Sequence, residues 1–111
     1  MKTIVGIDTS YLEEIANGDE EFVLEMINLF AEQAPVDIAG LSSGISQKDW
    51  NGIYQHAHKL KYAIGSLGRD DLKEKLEEVE DLAKEEEGME VIGEHFQTVK
   101  KEIQAILVQL T

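Results

Sequence analysis

His58 and Lys61 are the residues of this sequence whose types and spacing best suit chemistry. Positions three apart are neighbours on a helix surface, so the lysine ammonium would lie about one turn from the imidazole. A neutral imidazole carries a free lone pair near physiological pH, which makes it both a base and a nucleophile. The ammonium would neutralise an anionic group attached to that ring. The pair suits a phosphoryl group that is accepted, held briefly and passed on, although chance also places histidine and lysine three apart on exposed helices.

The helix that carries this pair should have one apolar face and one exposed face. At about 100° per residue, one narrow sector is entirely apolar and should face the core: Ile53, Ala57, Leu60 and Ile64. His58 lies roughly 120° to 140° from the centre of that sector and should face outward. His56 falls on the flank of the sector, so we expect its ring to be packed or held by a structural hydrogen bond. The two histidines should therefore have different roles.

The exposed face beside His58 is a candidate partner-binding surface. Besides Lys61, its members within one or two turns of the histidine are Tyr54, Gln55, Tyr62 and Gly65. An exposed aromatic ring next to a reactive group is a typical contact anchor. We therefore predict that these four residues contact a protein partner.

Most other chemistry is excluded by inventory. The sequence has no G-x-x-x-x-G-K-[ST] phosphate loop and no G-x-G-x-x-G motif, so we expect no ATP site and no cofactor of its own. Helical bundles can hold di-iron centres through Glu-x-x-His pairs. The positions three residues before the three histidines hold instead Ile53, Gln55 and Ile92. We therefore expect no metal site.

Length and charge limit the partners. A chain of 111 residues is long enough for one domain, residues 1–111, with a single core. The 23 acidic against 10 basic residues give a formal charge of −13, which should repel nucleic acids and acidic membranes. There is no cysteine, and no apolar run approaches the length of a membrane span or a signal peptide. We expect a monomeric cytoplasmic protein.

Five helical segments predict an all-α protein. We expect helices from Asp8 to Ala16, from Asp19 through a bend at Pro35 to Ile45, from a capping box at Ser46 to Leu67, from Asp70 to Glu87, and along the stripe from Ile92 to Leu110. The four long amphipathic helices can bury their apolar stripes only against one another. The sequence therefore predicts an antiparallel up-and-down four-helix bundle with a short additional N-terminal helix.

Acidic residues of the fourth helix lie outside its predicted apolar stripe. They are Glu74, Glu77, Glu78, Glu80 and Asp81. We interpret most of them as a solvated face, with repulsion of wrong partners as the alternative.

The segment from His58 to Gly68 resembles the H-x-L-K-G-x-x-x-x-L-G stretch of histidine-containing phosphotransfer (HPt) domains. The likeness covers nearly the whole chain, in order and with similar spacing. Its further parts are Asp8-Thr9-Ser10-Tyr11-Leu12, Gly18-Asp19, Phe22, Leu29-Phe30, Gln33-Ala34-Pro35, Asp49-Trp50 and Ala57. Such domains are four-helix bundles with an extra short helix.

The resemblance implies that His58 is the phosphorylated residue and that Lys61 stabilises the charge of the phosphoryl group. It implies relay to and from an aspartate of response-regulator receiver domains, with a hybrid sensor histidine kinase upstream. The family usually has glycine after the lysine, whereas this chain has Tyr62. Tyr62 either narrows the choice of receiver or rotates aside along the helix.

No acidic cluster near His58 is arranged to hold magnesium, so the receiver is expected to supply it. The chain would then be a carrier rather than an enzyme. The alternative is a non-catalytic adaptor that binds a signalling protein through the Tyr54 and Tyr62 face. Because the chain starts with Met1 and has no linker, we expect a free-standing protein.

Overall fold

The computed structural model describes residues 4–110, so Met1 lies outside it. Across these residues the chain forms five helices and no strand, which confirms the predicted all-α class. The helices are α1 (Ser10–Ala16), α2 (Glu20–Gln47), α3 (Trp50–Gly65), α4 (Asp70–Glu85) and α5 (Met89–Val108). No helix within residues 4–110 is long and apolar enough to cross a membrane.

The start of α3 differs from the predicted one. Ser46 lies inside α2, which ends where Lys48 adopts a left-handed conformation with φ of 56°. Asp49 is the N-cap of α3, and its carboxylate accepts the backbone N–H of Gly52 at 3.0 Å. A carboxylate at the N-cap satisfies one of the free N–H groups of the first turn, so Asp49 rather than Ser46 starts this helix. The helix also ends at Gly65, two residues before the predicted end.

Pro35 lies inside α2, which continues through it as one helix. This confirms the prediction of one helix rather than two, although the helix ends at Gln47, two residues beyond the predicted Ile45. Asp19 caps its start by accepting the backbone N–H groups of Glu21 and Phe22. At about 1.5 Å per residue, 28 residues match the 43 Å long axis of the molecule.

The helices pack so that α3 lies between α2 and α4. Helix α5 packs against α4 and α2, and α1 packs against α2. The predicted apolar sector of α3 is completely buried, since Ile53, Ala57, Leu60 and Ile64 have no exposed surface. Burial of this sector fixes the rotation of α3 about its axis, and with it the direction of every other side chain on that helix.

The connection from α3 to α4 is held by the N-terminal segment. The backbone N–H of Asp8 donates to the carbonyl of Leu67 at 2.7 Å. The Arg69 guanidinium donates to the carbonyl of Gly6 and to the carboxylates of Asp71 and Glu102. These bonds link both ends of the chain to the turn that sets α4 against α3.

Candidate functional site

His58 lies on the outward side of α3, as predicted from its distance from the buried sector. Its side chain is 41% exposed, while the neighbouring Ala57 and Leu60 are fully buried. The ring is therefore open to solvent while the helix that carries it is fixed by the core.

Glu80 of α4 connects His58 to Lys61. Its Oε2 atom lies 2.6 Å from Nδ1 of His58, and its Oε1 atom lies 2.7 Å from Nζ of Lys61. Its side chain is only 7% exposed. The interpretation of Glu80 as part of a solvated face is therefore wrong, because both carboxylate oxygens are buried against α3.

The charges of this cluster support one another. Burial by itself raises the pKa of the Glu80 carboxyl. Hydrogen bonds from Lys61 and His58 together lower it by more than burial raises it, so the pKa lies below its ordinary value of 4.5. The hydrogen bond to Glu80 raises the pKa of the Lys61 ammonium above 10.5, despite partial burial. At neutral pH the cluster therefore contains a carboxylate and an ammonium.

The ionised Glu80 carboxylate can only accept hydrogen bonds. Nδ1 of His58 must consequently carry the proton in the contact with Glu80. In the neutral ring the lone pair then lies on Nε2. Glu80 thus selects the tautomer in which the distal nitrogen is the nucleophile.

Two tyrosines flank the His58 ring along α3. Tyr54, one turn before, stacks on it with a centroid separation of 5.7 Å and an interplanar angle of 17°. Tyr62, one turn after, meets it edge-on at 5.0 Å and 85°. Each tyrosine ring also has an ammonium over it: Lys84 over Tyr54 at 5.2 Å and Lys61 over Tyr62 at 4.8 Å. Two residues of the predicted exposed face thus contact one imidazole; Tyr62 is exposed, whereas Tyr54 is partly buried against the core, contrary to the prediction.

The C-terminal side of this face borders an open cleft of about 470 Å³. Its lining consists of Tyr11, Lys61, Tyr62, Gly65, Ser66 and Lys73. A Cβ on Gly65 would lie 3.0 Å from Cδ of Lys73, so glycine lets the lysine stem pass close to α3. Gln55 is exposed on α3 but does not line this cleft.

A comparison with protein families identifies the fold. The model of the Hpt domain matches residues 25–109, which is more than half of the chain and includes His58, Lys61 and Glu80. The chain belongs to the Hpt domain family. Hpt domains act in histidine phosphotransfer in two-component systems. No curated protein and no solved structure matches the chain.

His56 has a different environment in this Hpt domain. Its Nδ1 atom lies 3.0 Å from Oδ1 of Asp37, a buried residue of α2. A Cβ on Gly40 would overlap with the His56 ring, including Nε2, so the ring lies directly against the α2 backbone. The prediction of a structurally hydrogen-bonded His56 is confirmed.

The remaining motifs add no further site to the Hpt domain. His95 pairs with Glu78 at 2.9 Å. Among residues 4–110, no group of three or more histidine, aspartate and glutamate side chains is arranged to hold a metal ion. A G-x-S-x-G pattern occurs at residues 40–44, but it lies inside α2 and so lacks the strand-to-helix turn that a nucleophilic serine requires.

Glu80 is the site residue that sequence reasoning missed, although a signal was available. It follows Leu76 by four residues and precedes Ala83 by three, so it lies on the apolar side of α4. A carboxylate at such a position requires a cationic or hydrogen-bonding partner. The spacing alone could therefore have indicated that Glu80 faces a neighbouring helix and not solvent.

Proposed function

We propose that this Hpt domain is a phosphocarrier in which Nε2 of His58 accepts a phosphoryl group from an aspartyl phosphate and later donates it. The observation that carries the proposal is the 2.6 Å contact of Nδ1 with the buried Glu80 carboxylate. That contact keeps the proton on Nδ1 and the lone pair on Nε2. The half-exposed ring leaves room for a partner to approach.

The transfer step forms one bond and breaks one. Nε2 attacks phosphorus, the N–P bond forms, and the bond between phosphorus and the aspartyl oxygen breaks. The aspartate carboxylate leaves with the electron pair. The ring gains positive charge while Nδ1–H remains bonded to Glu80, so the buried carboxylate stabilises the charge as it develops. The reverse step loads another receiver.

Lys61 is proposed to neutralise the transferred group. Its ammonium is one turn from His58 and is held at 2.7 Å by Glu80. The Lys61 side chain is only 13% exposed, so its ammonium is held in place by the protein. Tyr54, Gln55, Tyr62 and Gly65 are proposed to form the surface that contacts the partner.

The proposed partners are response-regulator receiver domains and a hybrid sensor histidine kinase. Magnesium, which neutralises charge during phosphoryl transfer, is proposed to come with the receiver, because both oxygens of the carboxylate at His58 already have partners. We further propose a cytoplasmic monomer that lacks kinase activity of its own, with α2 to α5 as an antiparallel up-and-down bundle.

Incubation with a phosphorylated receiver and magnesium tests the proposal. The chain should acquire an acid-labile, base-stable phosphate, and His58→Gln should abolish it. His56→Gln and His95→Gln are matched controls that should retain the label. Labelling that survives loss of His58 would contradict the site. A wild-type chain that binds receivers without ever being labelled would instead support an adaptor.

A further inference from the structure

The residues one turn before and one turn after His58 on α3 are both aromatic, and both contact its ring. Tyr54 stacks against its N-terminal side and Tyr62 lies edge-on at its C-terminal side. Lys84 from α4 and Lys61 from α3 restrain the two phenol rings through cation–π contacts. We call the space between Tyr54 and Tyr62, with His58 at its base, the aromatic slot.

Glu80 would continue to hold the proton on Nδ1 after His58 is phosphorylated, and this proton affects the stability of the N–P bond. A phosphohistidine that keeps its Nδ1 proton has a neutral imidazole as its leaving group, so its N–P bond breaks readily. The same contact that orients the nucleophile therefore also makes the product reactive. Water is the competing acceptor at every moment between loading and delivery.

We propose that Tyr54 and Tyr62 hinder the approach of water to phosphorylated His58 and thereby prolong the lifetime of the phosphohistidine. The inference rests on the phosphocarrier function proposed above and adds a kinetic role for two residues. In the suppressed reaction, a water oxygen attacks phosphorus, the N–P bond breaks, and its electron pair returns to Nε2. The phosphate leaves with both protons of the water. Two rings that restrict access to phosphorus slow this attack.

The lifetime of the label measures this role directly. Each chain would be phosphorylated by a phosphorylated receiver with magnesium and then separated from the receiver and the metal. The loss of its labelled phosphate would be measured over time. Tyr54→Ala and Tyr62→Ala should each shorten the half-life roughly two- to tenfold, the range expected for removing one aromatic contact. Tyr62→Phe should retain the wild-type half-life, because the ring and not the hydroxyl closes the slot.

Two controls separate the slot from other effects. Leu24→Ala removes an apolar side chain on α2 that is 46% exposed, outside the site, and should leave the half-life unchanged. In urea, where the slot is absent, all loaded variants should lose phosphate at one common rate. Tyr54 contacts Lys84 and packs partly against the core, and Tyr62 contacts Lys61, so urea denaturation should first show that both alanine variants are folded.

Equal half-lives for folded wild type and both alanine variants would overturn the inference. An effect of Tyr62→Ala without one of Tyr54→Ala would also contradict a two-sided slot. Failure of either alanine variant to accept label, while Tyr62→Phe accepts it, would show that the tyrosines act in transfer and not in protection. Absence of label from the wild type would instead contradict the phosphocarrier function itself.

Discussion

His56 and His58 are two residues apart on the same helix, and both place Nδ1 against a buried carboxylate. The carboxylate is Asp37 of α2 for His56 and Glu80 of α4 for His58. The two rings differ in what surrounds the side away from Nδ1. Nε2 of His56 lies against the α2 backbone at Gly40, whereas the His58 ring is half-exposed between two tyrosines.

The comparison separates two requirements of a histidine nucleophile. A buried carboxylate contacts Nδ1 in both places, so this contact alone does not distinguish the two rings. The surroundings of the two rings differ: the His58 side chain is 41% exposed against 29% for His56, and the carboxylate at His58 also binds a lysine. Glu80 bonds to Lys61 as well as to His58, so an ammonium is held on the same carboxylate that contacts the ring.

The largest expected effect is that of neutralising the carboxylate that contacts His58. Glu80→Gln should slow phosphoryl transfer roughly ten- to a hundredfold, because an amide neither fixes the proton on Nδ1 nor balances the charge that develops on the ring. Single-turnover transfer from a phosphorylated receiver measures the effect.

Asp37→Asn is the matched control. It should lower the free energy of unfolding by about 1 kcal/mol without changing the transfer rate. Equal slowing by both variants would mean that the His56 pair also belongs to the transfer site, and the distinction between the two rings would be lost.

Gly40→Ala should affect stability alone. The added methyl group overlaps with the His56 ring, so the free energy of unfolding should fall by about 1–3 kcal/mol, as measured by urea denaturation. Combining it with His56→Ala should recover part of this loss, because the overlapping ring is gone. A cost that is unchanged in the double variant would show that the ring does not lie against Gly40.

The smallest expected effect is on the pH dependence of stability. Because the pKa of Glu80 is lower in the folded chain, its contribution to stability is present above about pH 4.5 and is lost as pH falls through the folded value. The pKa of Lys61 is raised, so its contribution is present below about 10.5 and is lost as pH rises through its folded value.

Urea denaturation of wild type and Glu80→Gln between pH 3 and 7 checks this sign. The stability difference between the two chains should shrink as the pH falls. A difference that grows towards acid would mean that Glu80 is held protonated in the folded chain.

Helix content and the outward position of His58 were predictable because they depend on patterns within single helices. The apolar sector of α3 determines its rotation, and the rotation determines where His58 points. The start of α3 was harder, since Ser46 and Asp49 are both good capping residues and only Asp49 follows a residue that ends α2.

The pairing of Glu80 with His58 and Lys61 could not be derived from one helix alone. It depends on how far α4 is shifted and rotated relative to α3, which is set by the burial of Leu72, Leu76 and Val79. The spacing of Glu80 from Leu76 and Ala83 indicates that it faces a neighbouring helix, but not which residues it meets there. The cation–π contact between Lys84 and Tyr54 could not be predicted for the same reason, since it also joins α4 to α3.

Glu80 and His58 are 22 positions apart, and the carboxylate comes from a helix made after the one that carries the imidazole. A nascent or partly unfolded chain with α3 formed but α4 undocked would have a histidine without its proton acceptor and a lysine without its anchor. In the proposed carrier, His58 would then accept a phosphoryl group efficiently only after α4 has packed against α3. Incompletely folded chains would therefore not remove phosphoryl groups from the receivers.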